Sequence, residues 1–265
     1  MARKKLRAGT SARSVRYCRV ILRAALGQAM KQGLIARNVA APTDPPKGYR
    51  PQQASPLTPD EGPALYRGLE GERLNALHLL MLALGLRQGE ALGLRWSDVD
   101  LDAGLCHVRV ELVRLDARYT LEDLKTEKSR RDLPQDDYLV GLLRKHRAKQ
   151  NEEEPEAKKW QNEWDLVFVG PGDLPLHHTM ATRDFQRILE RLNIAKRRHY
   201  DLRHSAASYL THQGAEMRDV MEQLGHSQIS LTANTYGHLF MERKRQMASG
   251  MAEFLRKANP PSNGR

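Results

Sequence analysis

Two cysteines in 265 residues, Cys18 and Cys106, are too few and too isolated for a disulfide framework or a thiolate zinc site. That scarcity points to a reducing, cytoplasmic setting. Long apolar runs are missing as well. The longest, "ALHLLMLALGL" (76–86), is too short to span a bilayer and contains His78. The opening "MARKKLRAGT" has positive charge but no apolar stretch behind it, since Arg13, Arg16, Arg19 and Arg23 interrupt the next residues; no secretory signal is expected. No internal repeat is visible, and neither a metal-ligand spacing nor a glycine-rich phosphate loop stands out.

The first fifty residues lack negative charge. Twelve Lys or Arg stand there against one acid, Asp44, while the remaining 31 basic and 31 acidic residues cancel. One segment therefore carries the whole net charge of +11. A polyanion is the natural partner and, with no lipid-binding signature, that polyanion is expected to be nucleic acid. A basic tail that merely aids solubility is the bland alternative. With 40% hydrophobic and 28% charged residues, the chain is expected to fold around one or two cores.

Residues 11–34 read as one helix, because Val15, Cys18, Leu22, Ala25 and Ala29 recur at three- and four-residue steps. Arg16, Arg19 and Arg23 form a second stripe about 100° round, suited to phosphate contact. The proline-rich stretch 38–56 has no periodicity and is read as a linker, with a domain boundary there. Beyond it "TPDE" (58–61) looks like a capping box opening a helix over 59–70, with further helices over 72–84 and 88–94. "GLCHVRVEL" (104–112) and "SRRDLPQ" (129–135) predict a small antiparallel sheet, followed by a helix near 136–150. The charged stretch 151–163 is read as a solvated loop and "WDLVFVG" as a short strand. Helices over 178–192, 201–213, 216–224, 228–236 and about 240–257 complete a mainly α chain with a small antiparallel sheet, an α+β class.

Where the chemistry could sit depends on distances along helices. Gly214 is a good left-handed stop between the helices of "HYDLRHSAASYLTHQGAEMRDVMEQLGHS" (199–227). Eleven residues separate Arg203 from Gly214, roughly 16 Å of helix, and the return covers about the same distance. An antiparallel hairpin would therefore bring His226 back beside Arg203. A bend at "SQIS" would let Tyr236 reach the same place. Arginine offers a planar fork for phosphate oxygens, and a tyrosine hydroxyl becomes a nucleophile only where cations stabilise its anion. For Tyr236 alone, space-filling in a core is the simpler reading. Arg87 with Glu90 reads alone as an ordinary surface pair, and Lys125 as part of a solvated charge cluster in a turn.

Taken in order, "GLRQGE", "KT" at 125–126, "DLRH" at 201–204, "LGHS" at 224–227 and "TYGH" at 235–238 resemble the tyrosine recombinase (phage-type integrase) family. The resemblance runs from about residue 11 to 245. It implies a tyrosine-recombinase-like catalytic domain over 57–265, with a helical C-terminal tail, preceded by a partial, basic core-binding region over 1–37. It also implies site-specific recombination of double-stranded DNA at attachment sites, by a homotetramer, through a 3′-phosphotyrosyl link at Tyr236. Arg87 and Arg203 would bind the phosphate, Lys125 would protonate the departing 5′-oxygen, and His226 would hydrogen-bond the phosphate or help place the tyrosine. Glu90 would orient its neighbours. Neither ATP nor a metal or other cofactor would be needed. Two features depart from the family. Tyr200 stands where His or Lys is usual three residues before the second arginine, with His199 one step earlier. Only about fifty residues, the linker included, precede the catalytic domain, where a core-binding domain of about a hundred is usual. Two other readings stay open: a truncated, non-catalytic DNA-binding relative, and a topoisomerase-like relaxing enzyme. His177 and His178 match no motif and are expected at the surface.

Overall fold

The computed structural model describes residues 10–44, 54–153 and 162–226, with Tyr236, Gly237, Phe240, Met241, Ala248 and Ser249. The chain falls into two compact units, Met1–Gln53 and Ala54–Arg265. In the first, helix α1 (Ala12–Lys31) starts on a Ser11 hydroxyl that accepts the amide of Ser14 at 3.1 Å. It ends three residues short of the expected bound, where Gly33 takes a positive φ of 74°. The segment after it folds back. The Asn38 amide donates to the Arg23 carbonyl at 2.8 Å, and the Arg19 guanidinium donates to the Thr43 hydroxyl at 3.0 Å and to its carbonyl. Of the apolar stripe, Val15 alone is buried; Cys18, Leu22 and Ala25 are exposed and Ala29 is half-buried.

The second unit is built round α3 (Asn75–Leu84), whose "NALHLLMLAL" is apolar on nearly every side and is therefore buried from Ala76 to Met81. It packs against α4 (Gln88–Leu92), α5 (Asp137–Glu153) and α7 (Asp201–His212). Helix α2 (Glu61–Gly68) contributes Leu65, and α6 (His178–Arg191) lays Ala181, Phe185, Ile188 and Leu189 on the core at helical spacing. Each fully buried Leu, Ile or Phe stabilises by about 1.5–3 kcal/mol, so this layer dominates the energetics. The expected capping pair is made: Thr58 N donates to Glu61 Oε2 at 2.8 Å and Glu61 N to Thr58 Oγ1 at 3.3 Å. Among the described residues no helix is long and apolar enough to cross a membrane.

Five short strands are found among the described residues. β1 (Val99–Asp100), β2 (Leu105–Val108) and β5 (Arg131–Pro134) form an antiparallel sheet in the order β1-β2-β5. The predicted pairing of 104–112 with 129–135 is its centre, with Cys106 opposite Leu133. β3 (Val110–Leu115) and β4 (Arg118–Asp123) form a separate hairpin that the sequence reading missed. Its two-residue turn is Asp116-Ala117, with φ of 47° and 65°. Those mirror-image turn angles usually go to Asn-Gly or Asp-Gly, and alanine there removes the signal. "WDLVFVG" is not a laddered strand. Leu166 to Val169 are buried, but pair only through isolated bridges, Arg95 with Leu166 and Val169 with Pro175, after a positive-φ turn at Asp165. The charged segment read as a loop is helical through Glu153, in α5, and its residues 154–161 lie outside the described residues. So do nearly all of the helices expected over 228–236 and 240–257.

Candidate active site

Helix α3 stops at Gly85, whose φ of 64° turns the chain so that Arg87 becomes the N-cap of α4 and Glu90 its third residue. A Cβ at Gly85 would lie 2.6 Å from Leu224 Cδ2, so two elements meet there without room for a side chain. Glu90 accepts the Arg87 amide at 2.8 Å and its Nη1 at 2.5 Å. This is no surface pair, because Glu90 is 1% exposed and takes further charge-assisted bonds from Arg131, Nη2 at 2.8 Å and Nη1 at 3.3 Å. Arg203 Nη1 stands 4.0 Å away. One carboxylate thus serves three cations. Burial alone would raise its pKa, but Arg131, Arg87 and Arg203 outweigh it and bring it down to about 2.

What gathers the three arginines is the C-terminal end of α8 (Met217–Leu224). Arg131 Nε donates to the Gln223 carbonyl at 2.8 Å, Arg203 Nη2 to that of Leu224, and Arg87 Nη2 to that of Gly225 at 3.3 Å. A helix C-terminus offers unpaired carbonyls and the negative end of its dipole, which suits cations. The expected hairpin of α7 and α8 is present, turning at Gly214 (φ 100°) and closing at Gly225 (φ 62°), so the end of α8 does return beside Arg203. Arg203 is fully buried and also donates from Nη1 to Gly85 O at 2.6 Å. Its Nε has no hydrogen-bond acceptor among the described residues. Burial, then Arg87, lowers its pKa to about 10, which leaves it charged at neutral pH.

His226 comes directly after the α8 cap, its amide bonded to Met221 O at 3.0 Å. Burial, then Arg203, Arg87 and Arg131, pushes its pKa down to about 4, so its ring is neutral near pH 7. Tyr236 is buried among Ala207, Val220 and Leu224, and its hydroxyl lies 2.7 Å from His204 Nδ1. Burial raises the phenol pKa above its ordinary value, and Arg203 pulls it back. Guanidinium groups beside a phosphodiester can hold it and stabilise charge that develops on it.

Arg87, Glu90, Arg203, His226 and Tyr236 therefore converge, though they come from segments up to 149 residues apart along the sequence. Lys125 does not join them: it is exposed, in the bend between β4 and the short 3-10 turn Glu127–Ser129, and no bond ties it to the arginines. Tyr200 is 41% exposed at the N-cap of α7, its ring edge-to-face with His204 at 5.0 Å. His199 points elsewhere. Its Nε2 meets His78 Nδ1 at 3.0 Å and its Nδ1 meets the Gln88 amide at 3.0 Å, while His78 Nε2 meets Asp184 at 3.0 Å. It is no substitute for a cation beside Arg203, since burial, then His78, lowers its pKa to about 3. His177 is half-buried and caps α6; His178 is exposed. Sequence reading missed Arg131 and His204. Arg131 could have been found, because strand alternation puts it on the same inward face as Leu133. Nothing in "DLRH" signals that His204 meets a tyrosine 32 residues on. Among the described residues no cluster of three His, Cys, Asp or Glu side chains is arranged to hold a metal ion.

Residues 56–243 match the model of the phage integrase family. The chain is 29% identical over 254 residues to a tyrosine recombinase XerC-like protein of Caldanaerobacter subterraneus, covering 89% of this chain and 65% of that one. It is 31% identical to tyrosine recombinase XerC of Xylella fastidiosa, covering 88% and 72%. In structure it is similar to the integrase of transposon Tn1549 in complex with transposon right end DNA. The TM-score is 0.78 and the identity 20%, over 95% of this chain and 83% of that one. The chain spans just under two thirds of the first relative's length. With a family match over more than half its length, and the arginine, histidine and tyrosine motifs of that match drawn to one place, the chain belongs to the phage integrase family of tyrosine recombinases.

Proposed function

We propose that the chain cuts and rejoins double-stranded DNA at specific attachment sites, with Tyr236 as the nucleophile. The observation that carries the reading is the cluster of half-buried Arg87 with buried Glu90, Arg203 and Arg131, set on the carbonyl end of α8, with His226 and the Tyr236 hydroxyl beside it. In this reading Arg87 and Arg203 hold the non-bridging oxygens of the scissile phosphate, and the buried Arg203 Nε, without an acceptor among the described residues, is the donor left for it once the DNA is seated. Attack by Tyr236 forms a 3′-phosphotyrosyl link and frees a 5′-hydroxyl, whose oxygen takes a proton from Lys125 once its exposed loop closes on the DNA. Neutral His226 donates a hydrogen bond to the phosphate. Glu90 holds the arginines in place, and Tyr200 supplies a hydroxyl where a cation is usual. Each cut replaces one phosphodiester by another ester of phosphate, so the exchange needs neither ATP nor a metal.

The same reading takes residues 1–37 as part of a core-binding region, 38–56 as its linker and 57–265 as the catalytic domain. Arg16, Arg19 and Arg23 lie toward phosphates, and the working form in the cytoplasm is a homotetramer on two duplexes. A non-cutting relative is the less favoured alternative, since the matched relatives are recombinases and integrases. The test mixes the protein with a pool of nicked duplexes of randomised sequence and looks for a protein–DNA adduct stable to SDS. The adduct is expected with the wild-type chain, on Tyr236 by mass spectrometry, and is expected to vanish in Tyr236→Phe. Salt-sensitive binding without any adduct would overturn the reading in favour of a binding module.

A further inference from the structure

The Tyr236 hydroxyl makes a single hydrogen bond among the described residues, at 2.7 Å to His204 Nδ1. Tyr236 is 4% exposed and His204 9%. A phenol buried with its proton must donate it or lose about 1–3 kcal/mol. Nδ1 is therefore the acceptor, and the ring proton of His204 sits on Nε2. The imidazole is held at that angle from both sides, edge-to-face with Tyr200 at 5.0 Å and with Tyr236 at 5.6 Å.

We propose that His204 is the proton acceptor for the nucleophile: as the Tyr236 oxygen bonds to phosphorus and the bond from phosphorus to the 5′-oxygen breaks, the phenol proton passes to His204 Nδ1. Rejoining reverses the step. The 5′-hydroxyl attacks phosphorus, the tyrosine oxygen leaves, and Nδ1 returns its proton. The inference rests on Tyr236 being the nucleophile. Two features prepare the pair. Burial lowers the His204 pKa, so its ring is neutral near pH 7, and Arg203, the preceding residue on α7, favours the tyrosinate against burial, Tyr200 and Asp201, which oppose it. Asp201 favours the imidazolium that forms, while Arg198 and Arg203 oppose it.

Single-turnover cleavage of a nicked duplex recovered from the randomised pool tests this, with His204→Ala and His204→Asn, whose oxygen accepts a hydrogen bond but not a proton. A second version of the duplex carries sulfur at the bridging 5′ position, which leaves without protonation. Both variants are expected to bind the duplex as the wild type does and to form adduct more slowly by about 10²-fold or more. They should be slow on oxygen and sulfur alike, and free imidazole should restore part of the His204→Ala rate. Lys125→Ala, in contrast, should recover on the sulfur duplex. Wild-type rates in His204→Asn would overturn the inference, as would rescue of either His204 variant by sulfur. Absence of any wild-type adduct, or an adduct persisting in Tyr236→Phe, would instead overturn the assignment of Tyr236. Should the variants unfold, 15N spectra of the wild-type imidazoles decide: Nε2-protonated His204 is expected, and an Nδ1–H at neutral pH would overturn it.

Discussion

At the scale of single residues, Glu90 is where electrostatics and stability meet. Removing the charge of a buried carboxylate that pairs with Arg87 and Arg131 leaves desolvated guanidinium groups without a counter-ion. Glu90→Gln should therefore cost about 3–5 kcal/mol in urea unfolding. The same residue sets a pH dependence. Its folded pKa of about 2 lies below the ordinary 4.5, so its contribution is complete above about 4.5 and is lost as pH falls through about 2. His199 acts earlier. With a folded pKa of about 3 against 6.5, the unfolded chain takes up the proton first, so stability declines from pH 6.5 downward. His199→Gln, neutral throughout, should make the fall in melting temperature between pH 6.5 and about 3 shallower, the remainder coming from His226 and His204, whose pKa values burial also lowers. The Arg87–Glu90 spacing was legible in sequence, but its weight was not, because burial is a property of what packs around it.

At the scale of elements, close approaches decide where the site can form. Gly93 ends α4 so near the β3 backbone that a Cβ would lie 2.6 Å from Leu112 N and 3.0 Å from Glu111 C. Gly93→Ala should cost about 1–3 kcal/mol, because backbone cannot yield as a side chain does. Gly62 in α2 has nothing within 4 Å of a built Cβ, and Gly62→Ala should be neutral or stabilising by up to about 1 kcal/mol. Chemical denaturation of the pair separates crowding from helix propensity. Arg131 shows the same logic in reverse: one side chain joins β5 to Glu90 of α4 and to the Gln223 carbonyl of α8. Helix α6 was readable from its period because it buries a stripe, Ala181, Phe185, Ile188 and Leu189. The β3–β4 hairpin was not, because Asp116-Ala117 adopts its turn without the usual glycine.

At the scale of the whole molecule, the charge excess sits in the first fifty residues while the clustered arginines sit in the second unit. If both meet one polyanion, binding should weaken steeply with salt. Replacing Arg16, Arg19 and Arg23 together with alanine should lower the slope of log K against log salt by up to about 3, roughly one for each of them that contacts a phosphate. Fluorescence anisotropy with a labelled duplex at several salt concentrations reads this directly. An unchanged slope would place those arginines away from phosphates. Helix α1 also shows the limit of periodic reading: the stripe from Val15 to Ala29 is helical as expected, yet Val15 alone is buried on that helix. An apolar face states what a helix can bury, and not what is present to cover it.

Helix order, the fold class and the five motifs were all present in the linear pattern, since local period, capping residues and glycine stops act within a few residues of one another. The tetrapeptides also carry most of the convergent side chains. Three things needed long-range packing: the burial of Glu90, the recruitment of Arg131 to the end of α8, and the pairing of His204 with Tyr236. Those depend on contacts between segments separated by 32 to 92 residues. In such contacts desolvation sets the energy, and desolvation exists only once the chain has closed around the charge.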